Sequence, residues 1–179
     1  MGFFSRFFGS SLRAQRESAA DAGRSLRLTM LTTPPEKTGS KPTQEFPRVY
    51  GILMDWPIDE DTATVFATST GTASLYTTST FGIIGGEGHE SIRIAAMRFV
   101  RAADRLFDSS TATTTFPYPA RDRVRFYLLT FEGVRVVDTD LASLLNDTSY
   151  YLEFFNLGQA VLTELRHVTE NGSHSEGAD

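Results

Sequence analysis

The sequence predicts an α+β domain, an antiparallel β-sheet of about five strands packed by two long helices in the order β-β-β-α-β-β-α. Three observations carry this. Two pairs of β-rich runs flank the short turns Thr70-Gly71 and Glu132-Gly133 and read as hairpins. Two other segments repeat apolar residues every three and four positions, the pattern of helices with one buried face. There is no β-α-β alternation, which argues against a parallel dinucleotide-binding sheet, and the two helices must bury their stripes against an antiparallel one.

The first strand is the mostly apolar run 48–55, ended by Trp56-Pro57 and the acidic turn Asp59-Glu60-Asp61. Residues 62–68 are rich in β-branched side chains and pair through Thr70-Gly71 with 73–79. A bend at Gly82 lets residues 80–84 extend that strand. The clearest helix spans about 90–107, with its stripe on Ile92, Ala95, Ala96, Phe99, Ala103 and Leu106. Glu87 and Glu90 near its start suit the helix dipole. Residues 109–122, rich in Thr with Pro117 and Pro119, read as an ordered loop. Strands 124–130 and 134–138 follow, then a short helix at 140–145. Ser149 can cap a last helix over 150–167, whose stripe is Tyr151, Phe154, Phe155, Gly158, Val161, Leu162 and Leu165. Gly inside a helix costs about 0.5–1 kcal/mol relative to Ala; a tight crossing over the sheet would explain Gly158, and chance occupancy is the alternative.

Composition divides the chain. Residues 1–30 carry five Arg and two acids. Residues 31–47 hold four prolines and both lysines of the protein, without periodicity, and read as a flexible linker. Residues 48–167, with ten Arg and fifteen acids, form the single domain, which is expected to fold alone, and 168–179 form a polar, disordered tail. Opposite charge on arm and domain points to different partners. The 179 residues include no cysteine, which removes disulfides, thiol nucleophiles and Cys-based zinc sites. No run reaches the ~18 apolar residues of a membrane span. A net charge of -5 argues against nucleic acid as a partner.

The most unusual segment joins a strand to the best helix: Gly85-Gly86-Glu87-Gly88-His89, with Arg93 one turn on. Glycines admit close backbone approach and a helix start binds anions, so Gly85, Gly86, Gly88, His89 and Arg93 are candidate ligand-binding residues for a small ligand or anion. The segment matches neither the Walker pattern nor G-x-G-x-x-G, and Glu87 and Glu90 oppose a phosphate. The competing reading is a glycine-rich turn with Glu90 and Arg93 paired at i,i+3. With three histidines and no G-x-S-x-G, no catalytic residues are assigned. The acidic group Asp55, Asp59, Glu60 and Asp61 lacks EF-hand spacing and reads as a turn, so no metal and no cofactor are expected.

The arm opens Met1-Gly2-Phe3-Phe4-Ser5-Arg6-Phe7-Phe8 and continues to Arg13 and Arg16. As a helix, Phe3, Phe4, Phe7 and Phe8 make one apolar face beside Arg6 and Arg13, the composition of a helix lying in a lipid headgroup region. Arg6 stands where a myristoylation signal wants Ser or Thr. Docking on protein is the alternative use of four phenylalanines. Clustered Tyr150, Tyr151, Phe154 and Phe155 suggest a homo-oligomer.

The opening heptapeptide resembles the amphipathic N-termini of phage-shock-type membrane-stress proteins. The element order of residues 48–167 resembles the roadblock/profilin-like class, which implies a dimerising adaptor or regulator of small GTPases. Segment 85–93 is similar to one in a bacterial family with no assigned activity. The expectation is therefore a non-enzymatic, self-associating interaction or regulatory module in the cytoplasm. Its arm would hold it on an anionic membrane surface or a protein partner. A small-ligand or anion-binding domain is the alternative, and an enzyme using His89 is the third reading.

Overall fold

A computed structural model describes residues 18, 21–79, 82–83, 88–144, 146 and 149–175. The protein is α+β, built on one six-stranded antiparallel sheet. Strands β1 (Val49–Ile58), β2 (Asp61–Thr68) and β3 (Ala73–Thr77) form a meander. Helix α2 (Glu90–Ala103) runs on through a 3₁₀ turn to Leu106, matching the expected helix length. Strands β4 (Thr111–Ala112), β5 (Arg123–Thr130) and β6 (Gly133–Asp140) follow, then the short helix α3 (Leu141–Leu144) and the long α4 (Leu152–Ser175). The strand order is β3-β2-β1-β5-β6-β4, with β1 in the middle and β5 antiparallel to it. The sixth strand is the two-residue β4, which the Thr-rich loop lays on the edge of β6.

Because side chains alternate across a strand, β1 sends Ile52, Met54 and Trp56 to one face and Leu53 and Asp55 to the other, and a register shift between Val49 and Gly51 turns Tyr50 to the face of Leu53. The first face is covered by α2 and α4. Ile92, Ala96, Phe99, Val100, Ala103 and Leu106 are buried there, as are Phe154, Val161, Leu162 and Leu165. Phe126 meets Phe154 and Trp56 meets Phe155, both edge-on. Gly158 is explained by close approach: a Cβ there would lie 2.5 Å from Met54 Cε and 3.3 Å from Phe99 Cζ.

The second face is also covered, and here the structure departs from the expected division into arm, linker and domain. Residues 21–32 form a helix, α1, across the expected boundary at 30/31. Gly23, Leu26, Arg27, Met30 and Leu31 make its inward stripe, with Arg27 and Leu31 buried. It packs on Tyr50, Leu53, Phe66, Tyr76, Tyr127 and Leu129. Nor is 31–47 an open linker. Pro34 and Pro35 end α1 and start a 3₁₀ turn, Pro35–Thr38, while Ser40 and Phe46 are buried. At the other terminus α4 continues past His167 into the expected tail, because Val168 extends the apolar stripe onto the core.

Candidate functional site

Polar chemistry concentrates beneath α1. Cross-strand pairing places Tyr76, Thr64, Asp55, Arg125 and Asp138 in one row across five strands on the second face. Asp55, at the centre, is fully buried. Arg27 reaches down from α1 and donates from Nε (3.0 Å) and Nη2 (2.5 Å) to its Oδ2, while Thr64 Oγ1 donates to Oδ1 at 2.5 Å. The remaining Arg27 Nη1 donates to the Phe116 carbonyl at 2.9 Å, and the guanidinium lies 4.2 Å from the Tyr118 ring centroid. Arg125 donates to Asp138 and to the carbonyls of Pro117 and Tyr118, and Tyr127 Oη donates to the Pro117 carbonyl. The loop before β5 is therefore ordered by its own carbonyls.

Burial pushes the Asp55 carboxyl up, against the downward pull of Arg27 and Thr64. Burial likewise holds the Tyr118 and Tyr127 phenols high, and it pushes Tyr50, whose hydroxyl donates to the Thr33 carbonyl at the end of α1, to about 12. Shifted groups in a cleft would suggest catalysis. Here the buried groups are partnered internally: among the described residues no buried side-chain nitrogen or oxygen lacks a hydrogen-bond partner. The opening beside the row, lined in part by Thr115, Arg125, Tyr127 and Asp138, holds about 180 Å³, below the ~300–1,000 Å³ of small-molecule sites.

The residues singled out by sequence fall elsewhere. His89 is exposed at the N-cap of α2, and its side chain makes no cap hydrogen bond. The stem of Arg93 lies over Gly71 in the β2–β3 turn, where φ is +91°, and its guanidinium is 3.9 Å from Glu90. Gly88 is exposed, and Gly85 and Gly86 lie outside the described residues. Phe3, Phe4, Arg6, Phe7, Phe8 and Arg13 also lie outside the described residues. The four acids near β1 separate: Asp55 is buried on the strand, Asp59 is exposed in the turn at φ +49°, Glu60 pairs with Arg121 and Asp61 accepts from Thr78. No group of His, Asp or Glu able to hold a metal occurs among the described residues.

One surface escaped the sequence reading. Ser91, Ile94, Ala95 and Arg98 of α2 face Leu157, Ala160 and Glu164 of α4 across a groove of about 310 Å³ on the outside of the helical layer. Ile94 is 45% exposed. The aromatic cluster expected to supply an interface is mostly consumed inside, with Phe154 buried and Tyr151 and Phe155 half-buried, leaving Tyr150 exposed. The i, i+3, i+4, i+7 spacing of Ser91, Ile94, Ala95 and Arg98 places them on one face, but two polar ends hide it from a search for apolar stripes.

No helix among the described residues is long and apolar enough to cross a membrane. Comparison with protein-family models, with curated proteins and with solved structures gives no match for this chain.

Proposed function

We propose that this protein is a non-enzymatic interaction module that self-associates and docks its Phe- and Arg-rich N-terminal arm on an anionic membrane surface. The single observation behind this reading is how the described chemistry is spent. The buried polar cluster around Asp55 is closed and satisfied, while the apolar side chains of α2 and α4 line an open groove. A closed cluster of this kind supports a structural reading, in which it holds a helix in place. The resemblance in element order to roadblock/profilin-like adaptors fits the same role, by analogy of fold alone.

For the arm the supporting chemistry is the sequence itself. Each Phe buried in lipid contributes about 1.5–3 kcal/mol, and each Arg near an anionic surface about 1 kcal/mol that fades with salt. Full-length protein is expected to co-sediment with vesicles containing phosphatidylserine. Phe7→Ser/Phe8→Ser in the full chain should abolish binding at every salt concentration, and Arg6→Gln/Arg13→Gln should weaken it mainly at physiological salt. Full-length protein that ignores vesicles of every charge while its arm resists protease means that the phenylalanines dock on protein, and the membrane half of the proposal fails.

A further inference from the structure

We infer that the groove between α2 and α4 is the surface through which two copies of this chain pair, with Arg98 of each copy set against Glu164 of the other. The inference rests on the self-association proposed above and adds to it the place and the pairing.

The two helices run antiparallel. Tyr150 Oη approaches the Arg105 carbonyl at 3.3 Å, Arg105 pairs with Glu153 and stacks on Phe154, and further along Gly158 packs beneath Phe99. In that register Arg98 lies level with Leu157. Glu164, six residues past Gly158, lies about 9 Å further along, level with the 91–94 turn of α2. The groove therefore carries its cation at one end on one helix and its anion at the other end on the other helix. Ile94, Ala95, Leu157 and Ala160 form the apolar floor between them.

Opposite charges at diagonal corners make a face complementary to itself. A two-fold axis lying in the interface, perpendicular to the diagonal that joins the two charges, carries each Arg98 onto the other copy's Glu164. The same contact then forms twice, as an isologous interface requires. Both charges are available: among the described residues neither Arg98 nor Glu164 has an ion-pair partner, whereas Arg48, Arg101, Arg105, Arg121, Arg123 and Arg125 all do. A partner of one sign would satisfy only half of the groove. Small residues in the floor, Ala95 and Ala160, let the opposing helices approach closely, and Ile94 supplies the apolar contact.

The test is sedimentation equilibrium of full-length protein and its variants, at low and at physiological salt. Wild type is expected to be a dimer. Arg98→Glu and Glu164→Arg should each raise the dissociation constant about tenfold or more, because each places like charges together twice. The double variant Arg98→Glu/Glu164→Arg should return it to near the wild-type value, and Ile94→Asp should give a folded monomer whose melting temperature, unlike that of wild type, does not change with protein concentration. Dimers that tolerate all of these variants have their interface elsewhere, which overturns the assignment and leaves self-association standing. Monomeric wild type at high concentration overturns both. Monomeric wild type whose vesicle binding is lost in Ile94→Asp shows the groove to be covered by lipid or by the arm, and it too overturns the assignment.

Discussion

Arg27→Met is the substitution that asks most of this structure. It keeps the stem of the side chain in the apolar stripe of α1 and removes the three guanidinium bonds to Asp55, leaving a fully buried carboxylate that accepts from Thr64. Breaking a buried pair by deleting one partner costs about 3–5 kcal/mol, since the surviving charge keeps its desolvation penalty. For a chain of this length that lowers the melting temperature by roughly 6–20 °C. The loss must depend on pH, with a sign set by the carboxyl. Burial already raises its pKa in the folded protein, and without Arg27 burial acts with little opposition, so the rise is larger. A carboxyl whose folded pKa exceeds its unfolded value of about 3.9 contributes stability in full below that value and loses it as pH rises through the folded pKa. The gap between variant and wild type should therefore be widest near neutral pH and close as the solution is acidified. Arg27→Met/Asp55→Asn removes the charge but keeps an acceptor for Thr64, and it should recover most of the stability at neutral pH. Thermal and urea unfolding of the three proteins across pH measures this. A cost below ~1 kcal/mol that is constant with pH would mean that Asp55 is solvated and α1 is not clamped on the sheet, and the reasoning would fail.

Two further outcomes follow from the same packing. The fragment 48–167, which sequence alone marks as the folding unit, lacks α1 and so leaves Leu53, Phe66, Tyr76, Tyr127 and Leu129 uncovered; it is expected to aggregate or to bind a hydrophobic dye, while a fragment beginning at residue 18 melts in one transition, and a soluble, dye-silent 48–167 would show the helix to be dispensable. Gly158→Ala gains about 0.5–1 kcal/mol of helix propensity but drives a methyl into buried Met54 at an overpacking cost of about 1–3 kcal/mol, so a net loss of up to about 2.5 kcal/mol is expected in urea unfolding. Met54→Ala should relieve that clash, and strict additivity of the two changes would refute it.

What sequence reasoning could reach here was local. Ile92 to Leu106 and Tyr151 to Leu165 repeat at three and four positions, and each stripe finds its face of the sheet without any distant partner. Thr70-Gly71 and Glu132-Gly133 announce their hairpins because a tight turn is written in its own two residues. Gly158 was readable for the same reason: a glycine in an apolar helix stripe demands something close, and Met54 is there. Helix α1 fails this test at its centre. Gly23, Leu26, Met30 and Leu31 keep helical spacing, but Arg27 breaks the apolar run, and a charge inside a stripe normally argues against burial. Its justification is Asp55, 28 positions away in sequence, which by itself looks like the first residue of an acidic turn. Neither residue is interpretable without the other, and pairing them requires knowing that β1 lies between β2 and β5 with its odd-numbered residues 53 and 55 facing α1. The groove is illegible in a second way. Its two halves, 91–98 and 157–164, are unremarkable surfaces of two helices, and only their antiparallel contact sets Arg98 and Glu164 at opposite ends of a shared apolar floor. Elements follow from spacing along the chain, whereas charges acquire meaning from what the fold places opposite them. For that reason Arg27 and Arg98, one sealed under a helix and one left open on a groove, could not be told apart by composition or periodicity.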